Sequence, residues 1–287
     1  MTGETRRPFT VPDLQVYKAR GQRIVATTAY DSCTAQLAAP LVDVLLVGDS
    51  VGNVCLGMDG TNAVSMAMMN HHLDAVVRVK TDALVVADMP YLSYHINDDE
   101  AVRNAGNFIQ RGAAAIKLEG GAKRARTIAR LIDAEIPVMG HLGLTPQSQH
   151  MMGGFKVQGK SAGSALAIMD DACRLQEAGC FAIVLEGVPG EVAARITDAL
   201  DIPTIGIGAG AHCSGQVLVL HDVLGLLDQR RPKFVRAYMD GLGLARAALG
   251  QWADDVRTGK FPGEAETYAL PEDARAAVHD WRPPTKN

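Results

Sequence analysis

Aromatic residues are scarce in this sequence. They make up 5% of the 287 residues, whereas hydrophobic residues as a whole make up 47%. That fraction is enough for a sizeable core, but the core must consist mainly of Ala, Val, Ile, Leu and the 11 Met. Such a composition is typical of a parallel sheet covered by helices, because its buried strands are runs of Val, Ile and Leu. The length also suits a single α/β barrel, which typically has about 250 residues.

Long apolar runs and basic blocks are absent as well. No apolar run approaches the roughly 20 residues that cross a bilayer. Residues 1–11 contain Arg6 and Arg7 but no apolar stretch typical of a secretory signal. The 28 Lys and Arg against 32 Asp and Glu give a net charge of -4. We therefore expect neither a membrane nor a nucleic acid among the partners of this protein.

Cysteine is rare, and its spacing excludes two common roles. The 5 cysteines are an odd number without a C-x-x-C pair; they are Cys33, Cys55, Cys173, Cys180 and Cys213. A disulfide framework and a zinc site are both disfavoured by this pattern. We interpret the cysteines as reduced thiols and predict a cytoplasmic protein.

What the sequence does contain is a recurring short aliphatic run that ends abruptly in polar residues. The runs are Ile24–Thr28, Val42–Val47, Ala83–Ala87, Ala114–Leu118, Ile136–Met139, Phe181–Leu185, Ile202–Ile207 and Gln216–Leu220. These are about eight candidate strands, the number that a closed (β/α)8 barrel (TIM barrel) requires. Closure into a barrel, rather than an open doubly wound sheet, is favoured by the strand count alone.

Helical patterns lie between several of these runs, which favours parallel strands joined by crossovers. The predicted helices, with their stop signals, are Asp98–Ile109 before Gly112, Asp170–Ala178 before Gly179, and Glu191–Leu200. The connection 208–215 is too rich in Gly for a regular helix. The segment 233–259 looks helical and is followed by an irregular, Pro-containing end. We expect residues 1–287 to form one barrel domain with a short N-terminal lead and a helical or irregular C-terminal tail.

Ionisable residues follow the apolar runs, at the strand ends where parallel α/β folds bind ligands. They are Asp49 with Ser50, Asp88, Lys117 with Glu119, His141 and Glu186. Gathering such side chains from different strands at one rim is costly unless something binds there. The sequence therefore predicts a functional site at this rim.

The aspartates have two interpretations. Asp49 and Asp88 could supply carboxylate oxygens to a Mg²⁺ ion, which prefers a few acidic oxygens and several waters. Alternatively, each could cap the helix or turn that follows its strand. Capping is the simpler explanation for either residue alone, whereas the two together with Glu119 favour a metal.

The other ionisable residues also leave alternatives open. Lys117 and Glu119 are two apart and so point to one face of a strand. Lys117 could hold a carboxylate substrate, form a Schiff base, or pair with Glu119. Glu186 could be a general base whose pKa is raised in an apolar mouth, or a cap or salt-bridge partner. His141 could contact substrate, move a proton, or be a buried structural histidine.

Longer motifs resemble one known family. They are Thr28–Asp31, Leu46–Gly52, Ala87–Pro90 with Ser93 and Tyr94, Ile116–Gly121, Gly140–Gln147, Lys156–Gly159, Val184–Glu186, Ile202–Gly210 and Gly215–Val219. In this order the motifs strongly resemble ketopantoate hydroxymethyltransferase, from about Thr28 to Tyr238. Each motif is modest alone, but the ordered set is highly specific.

The resemblance implies a phosphoenolpyruvate-mutase-like (β/α)8 barrel, assembled as a large homo-oligomer, usually a decamer. It also implies transfer of the one-carbon unit of 5,10-methylenetetrahydrofolate to 3-methyl-2-oxobutanoate, through a metal-stabilised enolate. The product, 2-dehydropantoate, leads to pantothenate and coenzyme A. The implied cofactors are Mg²⁺ and methylenetetrahydrofolate as co-substrate, and both organic substrates are small molecules.

Site roles follow from the resemblance residue by residue. Asp49 and Asp88 match metal-binding aspartates that also face the substrate, and Glu119 lies close to the metal. Ser50 and Lys117 match residues that contact the oxo-acid, with His141 nearby as a further candidate. Glu186 matches the general base. The sequence departs from the family at Ser214, where Asp is frequent, and this leaves the role of the Cys213–Ser214 loop open.

Three rival functions remain. Another Mg²⁺-dependent oxo-acid lyase or mutase of the same barrel group would need no folate. A Schiff-base aldolase using Lys117 would not need the metal. A catalytically silent barrel would bind an oxo-acid or act as a scaffold, but it would have no use for the whole set of rim residues.

Overall fold

The computed structural model describes residues 7–228 and 231–283. The chain divides into two compact units, Met1–Met239 and Asp240–Asn287. The first unit contains every strand of the described chain and the ionisable residues discussed above. The number of domains therefore stays a prediction.

Eight strands form a closed, entirely parallel barrel in chain order, with β8 pairing with β1. They are β1 (Ile24–Thr28), β2 (Val44–Val47), β3 (Leu84–Asp88), β4 (Ala115–Glu119), β5 (Val138–Gly143), β6 (Ala182–Glu186), β7 (Thr204–Ile207) and β8 (Gly215–Leu218). The predicted barrel is confirmed, and every predicted run overlaps one strand. Several strands end later than predicted, because Asp88, Glu119, His141 and Glu186 continue the ladder instead of following it.

Ten α-helices belong to the described part of the first unit. They are α1 (Val11–Ala19), α2 (Ser32–Ala38), α3 (Val51–Val54), α4 (Met66–Val77), α5 (Asp98–Arg111), α6 (Ala125–Asp133), α7 (Gln149–Met152), α8 (Ala162–Glu177), α9 (Gly190–Ala199) and α10 (Leu220–Leu224). Helix α8 begins eight residues before the predicted start, because the Ser161 hydroxyl caps the Ser164 N–H at 3.2 Å. As predicted, no helix lies between β7 and β8.

Helix α5 shows how local sequence sets the ends of an element. The Asn97 side chain accepts a hydrogen bond from the Glu100 N–H at 2.8 Å, and three acidic residues occupy the first turn. Both features stabilise a helix N-terminus. Gly112 ends the helix in the left-handed region, with φ 109°. Phe108 is fully buried against the sheet, so this helix covers the barrel wall.

Two layers of apolar side chains make up the core. The outer layer fills the space between strands and helices, with side chains such as Leu45, Ile116, Ile183 and Leu185. The inner cluster takes residues from all eight strands: Ile24, Ala26, Val44, Leu84, Val86, Ala115, Met139, Ala182, Val184, Ile205 and Val217. A cluster that draws on every strand of a closed barrel fills its interior. Phe9 and Leu14, from α1 and the segment before it, pack against this cluster.

The second unit contains two α-helices, α11 (Gly241–Arg257) and α12 (Glu272–His279), with a 3₁₀ turn at Glu264–Glu266. The prediction of a helix over 233–259 was wrong at its start. Asp240 caps α11 by accepting from the Gly243 N–H at 3.1 Å, and the described residues of 231–240 form turns and bends. In the described parts of the chain, no helix combines the length and apolar character needed to span a bilayer.

Candidate active site

The interior face of the barrel changes character along the strands. On β4, Ala115, Lys117 and Glu119 share one face, and on β5 Met139 and His141 do the same. Ala115 and Met139 belong to the apolar interior cluster, whereas Lys117, Glu119 and His141 are buried ionisable side chains nearer the carboxyl ends. Strand geometry therefore delivers these groups to the interior at the end where barrel enzymes bind ligands.

Lys117 and Asp88 form a buried ion pair across neighbouring strands. The two residues are register partners of β3 and β4, and Lys117 Nζ lies 2.8 Å from Asp88 Oδ1. Burial opposes the charge of Lys117, but Asp88, Glu119 and Asp49 outweigh it and raise the pKa of Lys117 above its ordinary value. Lys117 is therefore held as an ammonium group, and its direct ion-pair partner is Asp88 instead of Glu119, which was one of the alternatives left open by the sequence.

Asp49 lies just beyond β2 and is only 4% exposed. Its backbone N–H donates to Asp88 Oδ2 at 3.3 Å, which places the two carboxyl groups side by side. Burial, followed by the charges of Asp88 and Glu119, raises the pKa of Asp49 well above its usual range. The site thus holds more negative charge than Lys117 neutralises.

Glu119, His141 and Glu186 form a chain across three strands. His141 Nδ1 lies 3.4 Å from Glu119 Oε1, and its Nε2 lies 3.3 Å from Glu186 Oε2. Burial and the nearby Lys117 charge oppose protonation of His141, but hydrogen bonds to Glu119 and Glu186 raise its pKa to about 9. Despite burial, hydrogen bonding to His141 lowers the pKa of Glu119. His141 therefore lies between the Glu119 and Glu186 carboxyl groups, and its Nδ1 also lies 3.3 Å from Lys117 Nζ.

A glycine allows the ends of β5 and β6 to approach each other. Gly143 has φ +92°, and a Cβ at this position would lie 2.2 Å from the Glu186 carbonyl oxygen. Any other residue would push the strand ends apart. The close approach keeps Glu186, whose side chain is 16% exposed, facing His141. The sequence predicted apolar surroundings for Glu186. In the structure, one side of Glu186 instead faces the polar side chain of His141.

Ser50 follows Asp49 and is half-buried. Its Oγ lies 2.8 Å from the hydroxyl of Tyr30, which is 1% exposed and follows β1. This contact fixes the Ser50 hydroxyl next to the carboxylates. Tyr30 belongs to the motif Thr28–Asp31, but no chemical role was predicted for it.

Gln147 and Tyr94 are the main residues of the site for which the sequence predicted no role. Gln147 is 3% exposed and donates from Nε2 to Asp49 Oδ2 and to the Met89 carbonyl, each at 2.9 Å. Its backbone N–H donates to Glu119 Oε2 at 3.0 Å. Tyr94 is 1% exposed, and its hydroxyl donates to Gln147 Oε1 at 2.7 Å. In the sequence, the only sign of a role was that Tyr94 and Gln147 belong to the long family motifs, which lie at the ends of β3 and β5.

The donor set fits a magnesium ion that shares its coordination with substrate and water. Within residues 7–228 and 231–283, no three or more His, Cys, Asp and Glu side chains are arranged to enclose a metal. Magnesium commonly uses only one or two carboxylates, with waters and substrate oxygens completing the octahedron. Asp49 and Asp88 offer that pair, and a divalent cation would offset both the burial and the neighbouring carboxyl groups that raise the pKa of Asp49.

His72, His212 and Ser214 make their hydrogen bonds outside the group of ionisable residues. His72 Nδ1 lies 2.7 Å from the Tyr30 carbonyl, and His212 pairs with Asp198 on the surface at 3.1 Å. Ser214 exchanges hydrogen bonds with Thr204 at the amino-terminal ends of β7 and β8. The Ser214 position is therefore at the opposite end of the strands from the ionisable group. All five cysteines are free, as expected.

A closed parallel barrel that carries acidic, ammonium and imidazole side chains at the carboxyl ends of its strands defines the class of this protein: it is an α/β-barrel enzyme. The model of the family described as ketopantoate hydroxymethyltransferase matches residues 8–264. The chain belongs to that family, as the sequence motifs predicted.

Named relatives agree with this assignment. The chain is 63% identical over 274 residues to 3-methyl-2-oxobutanoate hydroxymethyltransferase 2 of Bradyrhizobium diazoefficiens, with 96% of this chain and 94% of the relative covered. It is 63% identical over 269 residues to 3-methyl-2-oxobutanoate hydroxymethyltransferase of Methylobacterium sp. (strain 4-46), covering 94% of each. The prediction of a hydroxymethyltransferase enzyme is confirmed.

Solved structures confirm the fold group. Phosphonopyruvate hydrolase, solved in complex with oxalate and Mg²⁺, superposes with a TM-score of 0.60 at 13% identity, covering 94% of this chain and 95% of that one. The 2,3-dimethylmalate lyase, a member of the PEP mutase/isocitrate lyase superfamily, has a TM-score of 0.58 at 16% identity and 94% coverage of both chains. At these identities the likeness concerns the fold alone.

Proposed function

We propose that this enzyme transfers a hydroxymethyl group from 5,10-methylenetetrahydrofolate to 3-methyl-2-oxobutanoate, giving 2-dehydropantoate for pantothenate and coenzyme A synthesis. The observation that carries the proposal is the buried group of Asp49, Asp88 and Glu119 around the fixed ammonium of Lys117. An oxo-acid carries a carboxylate and a keto oxygen, and these complement a cation held by the aspartates together with Lys117.

Asp49 and Asp88 would hold Mg²⁺, with Glu119 close to it. When bound, the metal acts as a Lewis acid that polarises the keto oxygen and makes the adjacent C–H more acidic. Asp88 already pairs with Lys117 through Oδ1. Lys117 would therefore stand next to the substrate carboxylate and neutralise it, while the Ser50 hydroxyl, held by Tyr30, would donate a hydrogen bond to the oxo-acid.

Glu186 would remove the proton from C3 of the oxo-acid. Its Oε2 is engaged by His141, so Oε1 is the oxygen left to accept the proton. The electron pair of the broken C–H bond then forms the new C–C bond to the methylene carbon of the folate. The two C–N bonds of that methylene break, and one water supplies the hydroxyl group of the product. The two freed folate nitrogens take up the proton held by Glu186 and one proton of that water, and tetrahydrofolate leaves.

The fixed charge of Lys117 argues against a Schiff-base aldolase. A lysine that attacks a carbonyl must be neutral, and amines used this way usually have a lowered pKa. The pKa of Lys117 is instead raised by Asp88 and Glu119 against the effect of burial. Borohydride should therefore fail to trap substrate on Lys117, and EDTA should abolish activity.

Product analysis tests the proposal most directly. With 3-methyl-2-oxobutanoate, methylenetetrahydrofolate and Mg²⁺, mass spectrometry should detect 2-dehydropantoate and tetrahydrofolate in equal amounts. Omitting either the folate or the metal should abolish the product. Turnover of the oxo-acid without folate would instead indicate a lyase or mutase of the same barrel group.

The proposal includes a homo-oligomer, specifically the decamer that the family resemblance implies, and a cytoplasmic location. Light scattering coupled to size-exclusion chromatography should give a mass about ten times that of one chain. A monomer that is fully active would remove the oligomer from the proposal without affecting the chemistry.

A further inference from the structure

We infer that Gln147, held by Tyr94, is a positioning residue that fixes Asp49 and Glu119 in the arrangement needed to bind the divalent cation. The inference deepens the proposed function and rests on it for the identity of the metal site. Gln147 lies on the 3₁₀ turn Pro146–Ser148 after β5, whereas Asp49 follows β2, which is not a neighbour of β5 in the barrel. One side chain therefore links two distant strand ends.

The hydrogen bonds of the Gln147 amide determine its orientation. Both protons of Nε2 are used, one by Asp49 Oδ2 and one by the Met89 carbonyl. Both of those partners are acceptors, so a flipped amide would direct Oε1 at two acceptors and leave them unpaired. Buried acceptors without donors cost free energy, which makes the observed orientation the stable one.

Tyr94 extends this arrangement to Glu119. The Tyr94 hydroxyl accepts from the Glu119 backbone N–H at 3.1 Å. It donates to Gln147 Oε1 at 2.7 Å, and the Glu119 carbonyl is a more distant second acceptor at 3.3 Å. Hydrogen bonds thus run in one direction, from the Glu119 backbone through Tyr94 and Gln147 to Asp49. The Tyr94 ring is itself held by the Arg124 guanidinium, 5.6 Å from its centroid.

As a consequence, one oxygen of Asp49 and one oxygen of Glu119 each accept a hydrogen bond from Gln147. Asp49 Oδ2 is held by the Gln147 side chain, and Glu119 Oε2 by the Gln147 backbone. Asp49 Oδ1 is left for the cation, and Glu119 Oε1 faces His141. Residues that orient metal-binding carboxylates in this way typically contribute about 10–100-fold to metal affinity.

The test is Mn²⁺ binding to the full-length protein without substrate, measured by electron paramagnetic resonance of the free ion. Gln147→Met keeps the side-chain length but removes both donors, and we expect its Kd for Mn²⁺ to rise about 10–100-fold. Tyr94→Phe removes the hydroxyl that donates to Gln147 Oε1 and accepts from the Glu119 backbone N–H but keeps both Gln147 donors, and it should weaken binding less, by roughly 3–10-fold. Gln149→Met is the matched control, because its amide lies against Gly60 and should leave the Kd unchanged.

A merely structural role would give a different result. In that case Gln147→Met and Tyr94→Phe would lower the melting temperature but bind Mn²⁺ like the wild type, and the inference would be wrong. Should Gln147→Met fail to fold, Tyr94→Phe decides the question by the same measurement. A wild-type protein that binds no Mn²⁺ would overturn the proposed metal site and this inference together, whereas unchanged binding by the variants overturns the inference alone.

A double-mutant cycle tests the link between the two residues. Because Tyr94 acts on Asp49 through Gln147, the combined variant should bind Mn²⁺ no more weakly than Gln147→Met alone. Effects that multiply independently would contradict the continuous hydrogen-bonded chain. In activity assays at saturating oxo-acid, the concentration of Mg²⁺ at half-maximal rate should rise more than kcat falls.

Discussion

The two halves of the barrel interior are built from the same strands but contain opposite chemistry. Toward the amino-terminal ends, the inward positions are apolar, for example Leu84 and Val86 on β3, Ala115 on β4 and Val184 on β6. Two to four residues further along, the same face presents ionisable side chains: Asp88, Lys117, Glu119, His141 and Glu186. The boundary lies within single strands, between positions only two residues apart.

The difference separates stability from binding. Burying the apolar half stabilises the fold by about 25 cal/mol per Å² of apolar surface removed from water. Burying the charged half opposes folding, because each ion loses its hydration and regains only part of that free energy from its partners. The pair of Asp88 with Lys117 and the chain through His141 limit this cost. Burial and the neighbouring carboxyl groups raise the pKa of Asp49, and a bound cation would favour its ionised form.

Among substitutions that separate the roles of the two halves, we expect the largest effect on catalysis at Glu186, in the charged half. Glu186→Gln keeps the shape of the side chain but removes the general base. We expect deuterium exchange at C3 of 3-methyl-2-oxobutanoate, and overall turnover, to fall about 10²–10⁴-fold. Binding of Mg²⁺ and of the oxo-acid should change little, because Glu186 is not among the residues proposed to hold either of them and Gln keeps the shape of its side chain.

A matched control is available on the next helix. Glu191→Gln makes the same chemical change at an exposed position in the first turn of α9. It should exchange deuterium and turn over substrate at the wild-type rate. If deuterium exchange at C3 persists in Glu186→Gln, Glu186 is not the general base, but the roles proposed for the other site residues are unaffected.

A smaller effect, of the opposite kind, is expected in the apolar half. Met139 lies two residues before His141 on the same face of β5 and is 3% exposed. Met139→Ala should lower the free energy of unfolding by about 2–5 kcal/mol through lost burial and a cavity. Catalytic activity measured well below the melting temperature should be retained.

Chemical denaturation and activity assays on one preparation check this separation. Met139→Leu, which nearly conserves volume, should cost less than about 1.5 kcal/mol. A Met139→Ala protein that is as stable as the wild type but inactive would show that the apolar half positions the chemistry. Stability and catalysis would then not be assigned to different halves of the same strand.

The fold could be predicted largely from the sequence, because strand cores and helix ends carry local signals. The aliphatic runs located all eight strands, and Gly112 and Gly179 were correctly expected beyond the ends of α5 and α8. Closure could only be inferred from the strand count, since pairing between β1 and β8 is a contact between distant parts of the chain. The start of α11 was missed because Asp240 caps it inside a segment of uniform helical pattern.

The site was predictable for charged residues and less so for neutral ones. Strand-end position singled out Asp49, Asp88 and Lys117, because buried charges are unusual enough to need a reason. The partner of Lys117 was not predictable, since the β3–β4 register decides that Asp88 lies beside it. Gln147 carries no charge, and its role depends on hydrogen bonds to residues as distant in sequence as Asp49. Its significance appears only in three dimensions.

The smallest expected effect is on the pH dependence of stability, through His141. Its pKa is raised in the folded protein to about 9 by Glu119 and Glu186, against an ordinary value of 6.5. A raised pKa means that the folded state binds the proton more tightly, so this stabilisation is complete below about pH 6.5 and is lost as the pH rises through 9. Between pH 7 and pH 9 the loss should be roughly 2 kcal/mol for the metal-free protein.

Urea unfolding across this range should show the decline in the wild type and a flatter profile in His141→Gln, whereas parallel profiles would mean that His141 is neutral in the folded state. Because Met139 on the same strand face has no titratable group, Met139→Leu should keep the wild-type slope, and the pH dependence would thereby be assigned to the charged half of the barrel.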